Sequence, residues 1–135
     1  MIKFSELQVG DIVRAEFEGT AREGEITRLN RDEKQVCVMT DVQEFWYSVD
    51  HLHPIPLSDE QLMKLNFAKT TNEDGSVKYS KDAFRILVHH ANDFNNFEIW
   101  YREDRRHITH HLMVHELQNH FLQMTKVHLT KEALV

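Results

Sequence analysis

The sequence is poor in the residues that would build a disulfide framework or a disordered chain. It has one cysteine among 135 residues, so no internal disulfide can form, as is usual in a reducing compartment. With 4 Gly, 2 Pro and 41% hydrophobic residues, the composition is that of a folded globular protein. Cys37 lies in an apolar run, and we interpret it as a small buried side chain rather than a nucleophile.

Long apolar runs and clustered positive charge are also absent. No stretch approaches the roughly 18 apolar residues of a membrane span, and no basic region precedes an apolar run near the N-terminus. We therefore expect a cytoplasmic protein with no membrane partner. The formal net charge is -6 and the longest run of Lys and Arg is Arg105-Arg106, so the charge disfavours nucleic acid as a partner.

Residues 1–57 are predicted to form a small β-unit, in which Gly19 and Gly24 bracket a short connection. Alternating and β-branched apolar residues predict four strands, Ile12–Phe17, Glu25–Leu29, Gln35–Thr40 and Glu44–Val49. A strand, one helical turn and a short closing strand are predicted over residues 47–55. This order resembles the small SH3-like barrels of the Tudor and KOW type. Such barrels bind peptides, nucleic acids or nothing, so the resemblance does not decide function.

The second half begins with a helix signal. Ser58 is an N-cap candidate with Gln61 three residues later, which predicts a short helix to about Leu65. The polar stretch 70–76 is predicted to be a surface loop.

Two further patterns complete residues 58–135. Phe84–His90 and Phe97–Arg102 predict the two strands of a hairpin, and Ile108–Leu129 predicts an amphipathic helix. The fold class is therefore α+β: a small SH3-like β-barrel of residues 1–57, then a helix, an antiparallel β-hairpin or small sheet, and a long C-terminal amphipathic helix. The apolar stripe predicted for that last helix consists of Met113, Val114, Leu117, Phe121 and Met124.

An aromatic triplet, Phe45-Trp46-Tyr47, lies in the fourth predicted strand. Because successive strand residues point to opposite faces, Phe45 and Tyr47 share one side and Trp46 takes the other. The triplet is either an aromatic ligand surface or part of the core, and core packing is the simpler interpretation.

Histidines are frequent, with 10 in the chain, but their spacing does not form a known metal motif. His115-Glu116 is followed by His120, five positions after the first histidine, where the His-Glu-x-x-His motif requires four. His107, His111 and His115 have the helical i, i+4 spacing and are weak candidates for a metal site. Solvated surface histidines are the simpler interpretation. We predict no catalytic residue and no cofactor.

Two stretches, residues 55–67 and 114–125, together resemble a group of short uncharacterised bacterial and prophage-associated proteins. The more specific match is the sequence VHELQN that starts at Val114. Proteins of that group tend to have Gly where this chain has Asn66 and Lys126. The resemblance implies a phage-like context and no established reaction. It marks His115, Gln118 and Asn119 as characteristic positions.

Those characteristic positions have two interpretations. Helical geometry puts Gln118 on the polar side of the last helix and His115 further round it. The two side chains either bind a partner or make structural contacts between the helix and the hairpin.

The leading prediction is a non-enzymatic protein-binding or adaptor module of phage or mobile-element type. Its candidate surfaces are Phe45, Trp46 and Tyr47, and the polar side of the last helix with His115 and Gln118. A homo-oligomer is an open alternative to a different protein partner.

Two other functions stay open. The first is a nucleic-acid-associated protein that uses the barrel, which clustering of Arg102, Arg105, Arg106, Lys126 and Lys131 on one face would favour. The second is a metal-dependent enzyme that uses the histidine row.

Overall fold

A computed structural model describes residues 2–130 and shows an α+β fold of two antiparallel sheets and two short α-helices. By contacts the chain divides into two compact units. Unit 1 consists of residues 1–55 and 113–119, and unit 2 of residues 56–112 and 120–135. The predicted boundary after residue 57 lies close to the first division, but the prediction did not include the return of residues 113–119 to unit 1.

The sheet of unit 1 has five strands in the order β4-β3-β2-β1-β5. The strands are β1 Ile12–Phe17, β2 Thr20–Asn30, β3 Gln35–Thr40, β4 Glu44–Ser48 and β5 Leu52–His53. A 3-10 turn over Val49–His51 separates β4 from β5, so the predicted strand, turn and closing strand are confirmed. Within residues 2–130 the strands of this sheet do not close into a barrel, because β5 has only two residues and pairs with β1 alone.

The connection predicted between Gly19 and Gly24 is wrong. Strand β2 starts at Thr20 and runs through Gly24, and the turn before it consists of Glu18 and Gly19 alone. Both turn residues have positive φ, 50° and 81°, as a tight two-residue hairpin requires. Phe17 is therefore placed directly opposite Thr20 at the end of the hairpin.

The sheet of unit 2 is an antiparallel meander in the order β10-β9-β8-β7-β6. Its strands are β6 Ala68–Thr71, β7 Val77–Lys81, β8 Phe84–Val88, β9 Phe97–Tyr101 and β10 Asp104–Ile108. The predicted pairing of β8 with β9 is confirmed. The surface loop predicted for residues 70–76 is partly wrong, because Thr70 and Thr71 pair with β7.

Helix α1, Asp59–Lys64, begins as predicted. The Ser58 hydroxyl accepts a hydrogen bond from the Gln61 backbone N–H at 3.3 Å. The helix ends where Asn66 takes a left-handed conformation with φ 63°.

Helix α2, Val114–Thr125, is much shorter than the predicted helix over 108–129. Ile108 is not helical but pairs with Phe97 in the sheet of unit 2. The helix starts later than predicted because residues up to Ile108 belong to β10. At its start, the Glu116 carboxylate accepts a hydrogen bond from the Met113 backbone N–H at 2.9 Å. Four of the five predicted apolar positions are buried, namely Val114, Leu117, Phe121 and Met124.

Asn66 and Lys126 both have left-handed backbone conformations, with φ 63° and 64°. Left-handed φ costs about 1–2 kcal/mol for an ordinary L-residue, and Asn tolerates it better than Lys. Substitution by Gly removes this cost, but Gly loses more conformational entropy on folding, which offsets part of the gain in stability. We expect Lys126→Gly to raise the free energy of unfolding by about 0.5–1 kcal/mol, and Asn66→Gly by less.

Denaturant unfolding of the two glycine variants against the natural chain measures this effect. Lys126→Ala is the control, because alanine also shortens the side chain but keeps the steric cost of positive φ. Equal stability of Lys126→Gly and Lys126→Ala would contradict the explanation.

Candidate functional site

Polar residues of α2 bind the chain segment that precedes β1. The Gln118 side-chain oxygen accepts a hydrogen bond from the Ile12 backbone N–H, and its amide nitrogen donates to the Gly10 carbonyl, both at 2.8 Å. The Asn119 amide donates to the Glu6 carbonyl at 2.7 Å. Gln118 therefore occupies the place of a neighbouring strand for residues 10–12.

His115 contacts the same segment. Its Nε2 atom lies 3.3 Å from the Glu6 carboxylate, while its Nδ1 atom is buried and has no hydrogen-bond partner among residues 2–130. Only 2% of His115 and 3% of Gln118 is exposed, so the prediction that both lie on the polar side of the helix is wrong. The buried face of α2 is wider than its apolar stripe because hydrogen bonds to the backbone compensate the burial of these polar groups.

The helical row of His107, His111 and His115, the weak candidate for a metal site, does not form, because of these three only His115 lies in a helix. His107 is in β10 and its Nε2 atom lies 2.6 Å from Asn96 Oδ1. His111 precedes the helix, and its Nε2 atom lies 3.2 Å from the Leu57 carbonyl. Within residues 2–130, no group of three or more His, Cys, Asp or Glu residues could hold a metal ion.

The aromatic residues of β4 lie beside a cleft in unit 1. The ring centroid of Phe45 is 5.4 Å from that of Phe17 and 5.6 Å from that of Tyr47. The cleft has a volume of about 440 Å³. We call it the aromatic cleft, and it is lined by Glu16, Phe17, Glu18, Gly19, Phe45, Trp46, Tyr47, Ser48 and His51.

Three of the four aromatic residues that border the aromatic cleft reach solvent. Phe17 is 46% exposed, Phe45 37% and Trp46 38%, whereas Tyr47 is buried and belongs to the hydrophobic core of unit 1. The sequence interpretation did not find Phe17, because that residue reaches β4 only through the folding of the β1–β2 hairpin and the β2–β3–β4 ladders. The triplet thus combines both interpretations: Tyr47 is core, and Phe45 and Trp46 are surface.

The Trp46 side chain lies on the other face of β4 from Phe45, beside its register partner Cys37 in β3. The Arg28 guanidinium lies 5.2 Å from the centre of the Trp46 ring and forms an ion pair with Glu44 at 3.0 Å. Glu44 lies 3.3 Å from the Cys37 sulfur. Cys37 is 1% exposed, which confirms its interpretation as a small buried side chain.

Charge is divided unequally between the two units. Unit 1 contains twelve Asp and Glu residues against six Lys and Arg residues, a net charge of -6. Unit 2 contains ten of each sign, so the whole net charge of the chain belongs to unit 1. Two of the acidic residues, Glu16 and Glu18, line the aromatic cleft, and Glu16 lies 2.8 Å from His53.

The basic residues that would have favoured nucleic-acid binding do not share one face. Arg105 stacks on Trp100, with its guanidinium 5.0 Å from the ring centre. Arg106, the next residue of β10, points to the opposite face and lies 2.7 Å from His120. Lys131 lies outside the described residues.

The outer face of the unit 2 sheet carries a row that sequence reasoning missed. Arg85 and Arg105 flank Trp100 on neighbouring strands and both stack on its ring, at 5.8 Å and 5.0 Å. The register between strands creates this row, and no local sequence pattern marks it.

The pKa values of Asp11 and Asp59 are shifted in opposite directions. Burial raises the pKa of Asp11 from 3.8 to about 7, although the Gln8 backbone N–H donates to its carboxylate at 3.0 Å. In unit 2, hydrogen bonds from Lys69 and then Tyr79 lower the pKa of Asp59. Asp11 is 3% exposed and lies between the two residues that Gln118 binds, so it belongs to the buried junction rather than to the cleft.

The protein has an α+β fold with two antiparallel five-stranded sheets, and exposed aromatic side chains lie beside one of these sheets. Comparison with protein-family models, curated proteins and solved structures found no match for the chain. Among the described residues, no helix combines the length and the apolar character needed to cross a membrane.

Proposed function

We propose that this chain is a cytoplasmic, non-enzymatic protein-binding or adaptor module of phage or mobile-element type, and that it binds its partner through the aromatic cleft. The exposure of Phe17 and Phe45 in one cleft, with the exposed Trp46 ring on the other face of the same strand, is the observation that carries the proposal. Clustered exposed aromatic side chains mark interaction sites on soluble proteins, because leaving them in water is costly. The VHELQN resemblance supports the phage-like context.

The order of elements in unit 1 supports a finer proposal about its fold. Five short antiparallel strands with a 3-10 turn before the last one are the elements of a small SH3-like barrel, and β5 returns to pair with β1. We propose that unit 1 belongs to this class in an open form. Since His115 and Gln118 are buried, the proposed partner surface uses Phe45 and Trp46 and not the last helix.

The two alternatives have less support. A metal-dependent enzyme would need the histidine row, whose members have three separate partners. A nucleic-acid-associated protein that uses the barrel would bind through unit 1, which carries the net charge of -6. Acidic surfaces repel the phosphate backbone.

Partner capture from a bacterial lysate with cleft variants tests the proposal. We expect the natural chain to retain a protein that Phe45→Ala and Trp46→Ala lose, because truncation of a central aromatic contact typically costs at least about 2 kcal/mol of binding. The captured protein is then purified, and its affinity for each variant is measured by titration. Met63→Ala is the matched control, because Met63 is as exposed as Phe45 but belongs to unit 2.

Equal binding by Phe45→Ala, Trp46→Ala and Met63→Ala would contradict the aromatic cleft as the partner surface. Salt-sensitive binding of an oligonucleotide, with no protein retained, would replace the proposal by the nucleic-acid alternative.

A further inference from the structure

Strand β4 is an open edge of the unit 1 sheet. It pairs with β3 and, within residues 2–130, with no other strand. An edge strand presents backbone N–H and C=O groups that can pair with another chain, and proteins usually protect such edges. The usual means are charged side chains, especially Lys, proline, bulges or very short length.

Within residues 2–130, the other three sheet edges are very short or carry Lys, Arg or Pro, whereas the one charged side chain of β4, Glu44, is paired with Arg28 at 3.0 Å. Strand β5 has only two residues and is followed by Pro54. Strand β6 carries Lys69, and β10 carries two arginines. Strand β4 has five residues, Glu44–Ser48, with no Lys, Arg or Pro, and the β-bulge of this sheet lies between β2 and β3.

The side chains of β4 offer apolar contacts to a strand that pairs with its edge. Phe45 faces the aromatic cleft and Trp46 faces the opposite side, so an added strand would meet an exposed aromatic ring on both of its faces. Peptides that add a strand to a sheet gain affinity from main-chain hydrogen bonds and specificity from alternate side chains.

Charge selects the occupant of this edge. A second copy of the chain would bring a second unit 1 with a net charge of -6, and like charges across an interface oppose association. A basic segment is attracted instead, because unit 1 carries the negative charge and Glu16 and Glu18 line the cleft that Phe45 faces.

We propose that β4 is the docking edge for an extended basic segment of the partner protein, which adds to the sheet as a further strand. Alternate Lys or Arg side chains of that segment enter the aromatic cleft, where they stack on Phe45 and pair with Glu16 and Glu18. The residues between them are apolar and lie against Trp46. This inference rests on the proposed function, since it assigns the chemistry of the partner at the same cleft.

Fluorescence anisotropy with short labelled peptides tests the inference. The probe alternates Lys and Val, and two matched peptides alternate Glu and Val, or keep Lys and Val but carry N-methyl groups on alternate backbone amides. We expect the Lys-Val peptide to bind at least about tenfold more tightly than either matched peptide, which is a difference of about 1.4 kcal/mol. Hydrogen exchange of the β4 amides should slow when it binds.

Variants of the protein separate specific docking from general charge attraction. Phe45→Ala leaves the charge of unit 1 unchanged, so general charge attraction predicts no loss of affinity. Docking in the cleft predicts that Phe45→Ala binds the Lys-Val peptide at least about tenfold more weakly. Met63→Ala should bind like the natural chain. Equal binding of Lys-Val and Glu-Val peptides, or equal binding by natural chain and Phe45→Ala, would overturn the inference.

Two outcomes distinguish failure of the inference from failure of the proposed function. If the N-methylated peptide binds as well as the Lys-Val peptide while Phe45→Ala weakens both, the cleft binds a basic partner but not by strand addition. If no peptide binds and sedimentation shows a dimer that Phe45→Ala dissociates, the edge pairs with a second copy of this chain. Either result overturns the basic-strand inference and leaves the aromatic cleft as a protein-binding surface.

Discussion

Gln118→Met is expected to lower the free energy of unfolding by about 2–5 kcal/mol, because it leaves two buried backbone groups without hydrogen bonds. Those groups are the Gly10 carbonyl and the Ile12 N–H, which the Gln118 amide binds at 2.8 Å each. Methionine has nearly the same length and shape as glutamine, so the packing of α2 is retained. Equilibrium unfolding in denaturant measures the change.

Gln123→Met is the matched control on the same helix. Gln123 accepts a hydrogen bond from Arg106 at 3.0 Å, but this bond is exposed, so water can replace the lost partner. We expect the control to cost under about 1 kcal/mol. A similar loss in both variants would show that the Gln118 bridge has no special role in joining α2 to the start of β1.

The bridge also shows what local sequence patterns cannot predict. Gln118, His115 and Asn119 bind residues 106 to 113 positions earlier in the chain. Helical geometry placed Gln118 on the polar side because its angular position lies away from the apolar stripe. Its burial is permitted by backbone groups that no window of sequence around the helix contains.

Elements with strong local signals were predicted well. Strands β1 and β3 alternate or concentrate apolar residues and match their predicted bounds, and Ser58 caps α1 as predicted. Strand β6 was missed because all four of its residues are exposed, so it has no hydrophobic pattern. Strand β10 was missed because its sequence, DRRHI, is nearly all charged or polar. Pairing with neighbouring strands, not apolar periodicity, makes these two segments extended.

The candidate site was predicted in part. The triplet 45–47 was found because three consecutive aromatic residues are conspicuous in any sequence. Phe17 and the acidic cleft residues Glu16 and Glu18 were not found, because the β1–β2 hairpin brings them to β4 from a distant position. The division of charge between units also required the structure, since residues 113–119 return to unit 1.

Asp11→Asn is expected to stabilise the protein by a few kcal/mol at pH 8, and to have progressively less effect as the pH falls towards 4. The pKa of Asp11 is raised from 3.8 to about 7 in the folded protein, so folding favours the protonated carboxyl group. The stability that this group contributes is fully present below pH 3.8 and is lost as the pH rises through about 7. Each unit of pKa difference corresponds to about 1.4 kcal/mol.

Asparagine removes the buried charge and keeps an oxygen that can accept the hydrogen bond from the Gln8 backbone N–H. The natural chain should therefore lose stability between pH 4 and pH 7 in a way that Asp11→Asn does not, as measured by denaturant unfolding at a series of pH values. Asp32→Asn, at an exposed turn position, is the control and should follow the natural chain. Parallel pH profiles for the natural chain and Asp11→Asn would mean that Asp11 ionises as easily in the folded protein as in the unfolded one. Burial of its carboxyl group at the start of β1 would then have no energetic consequence.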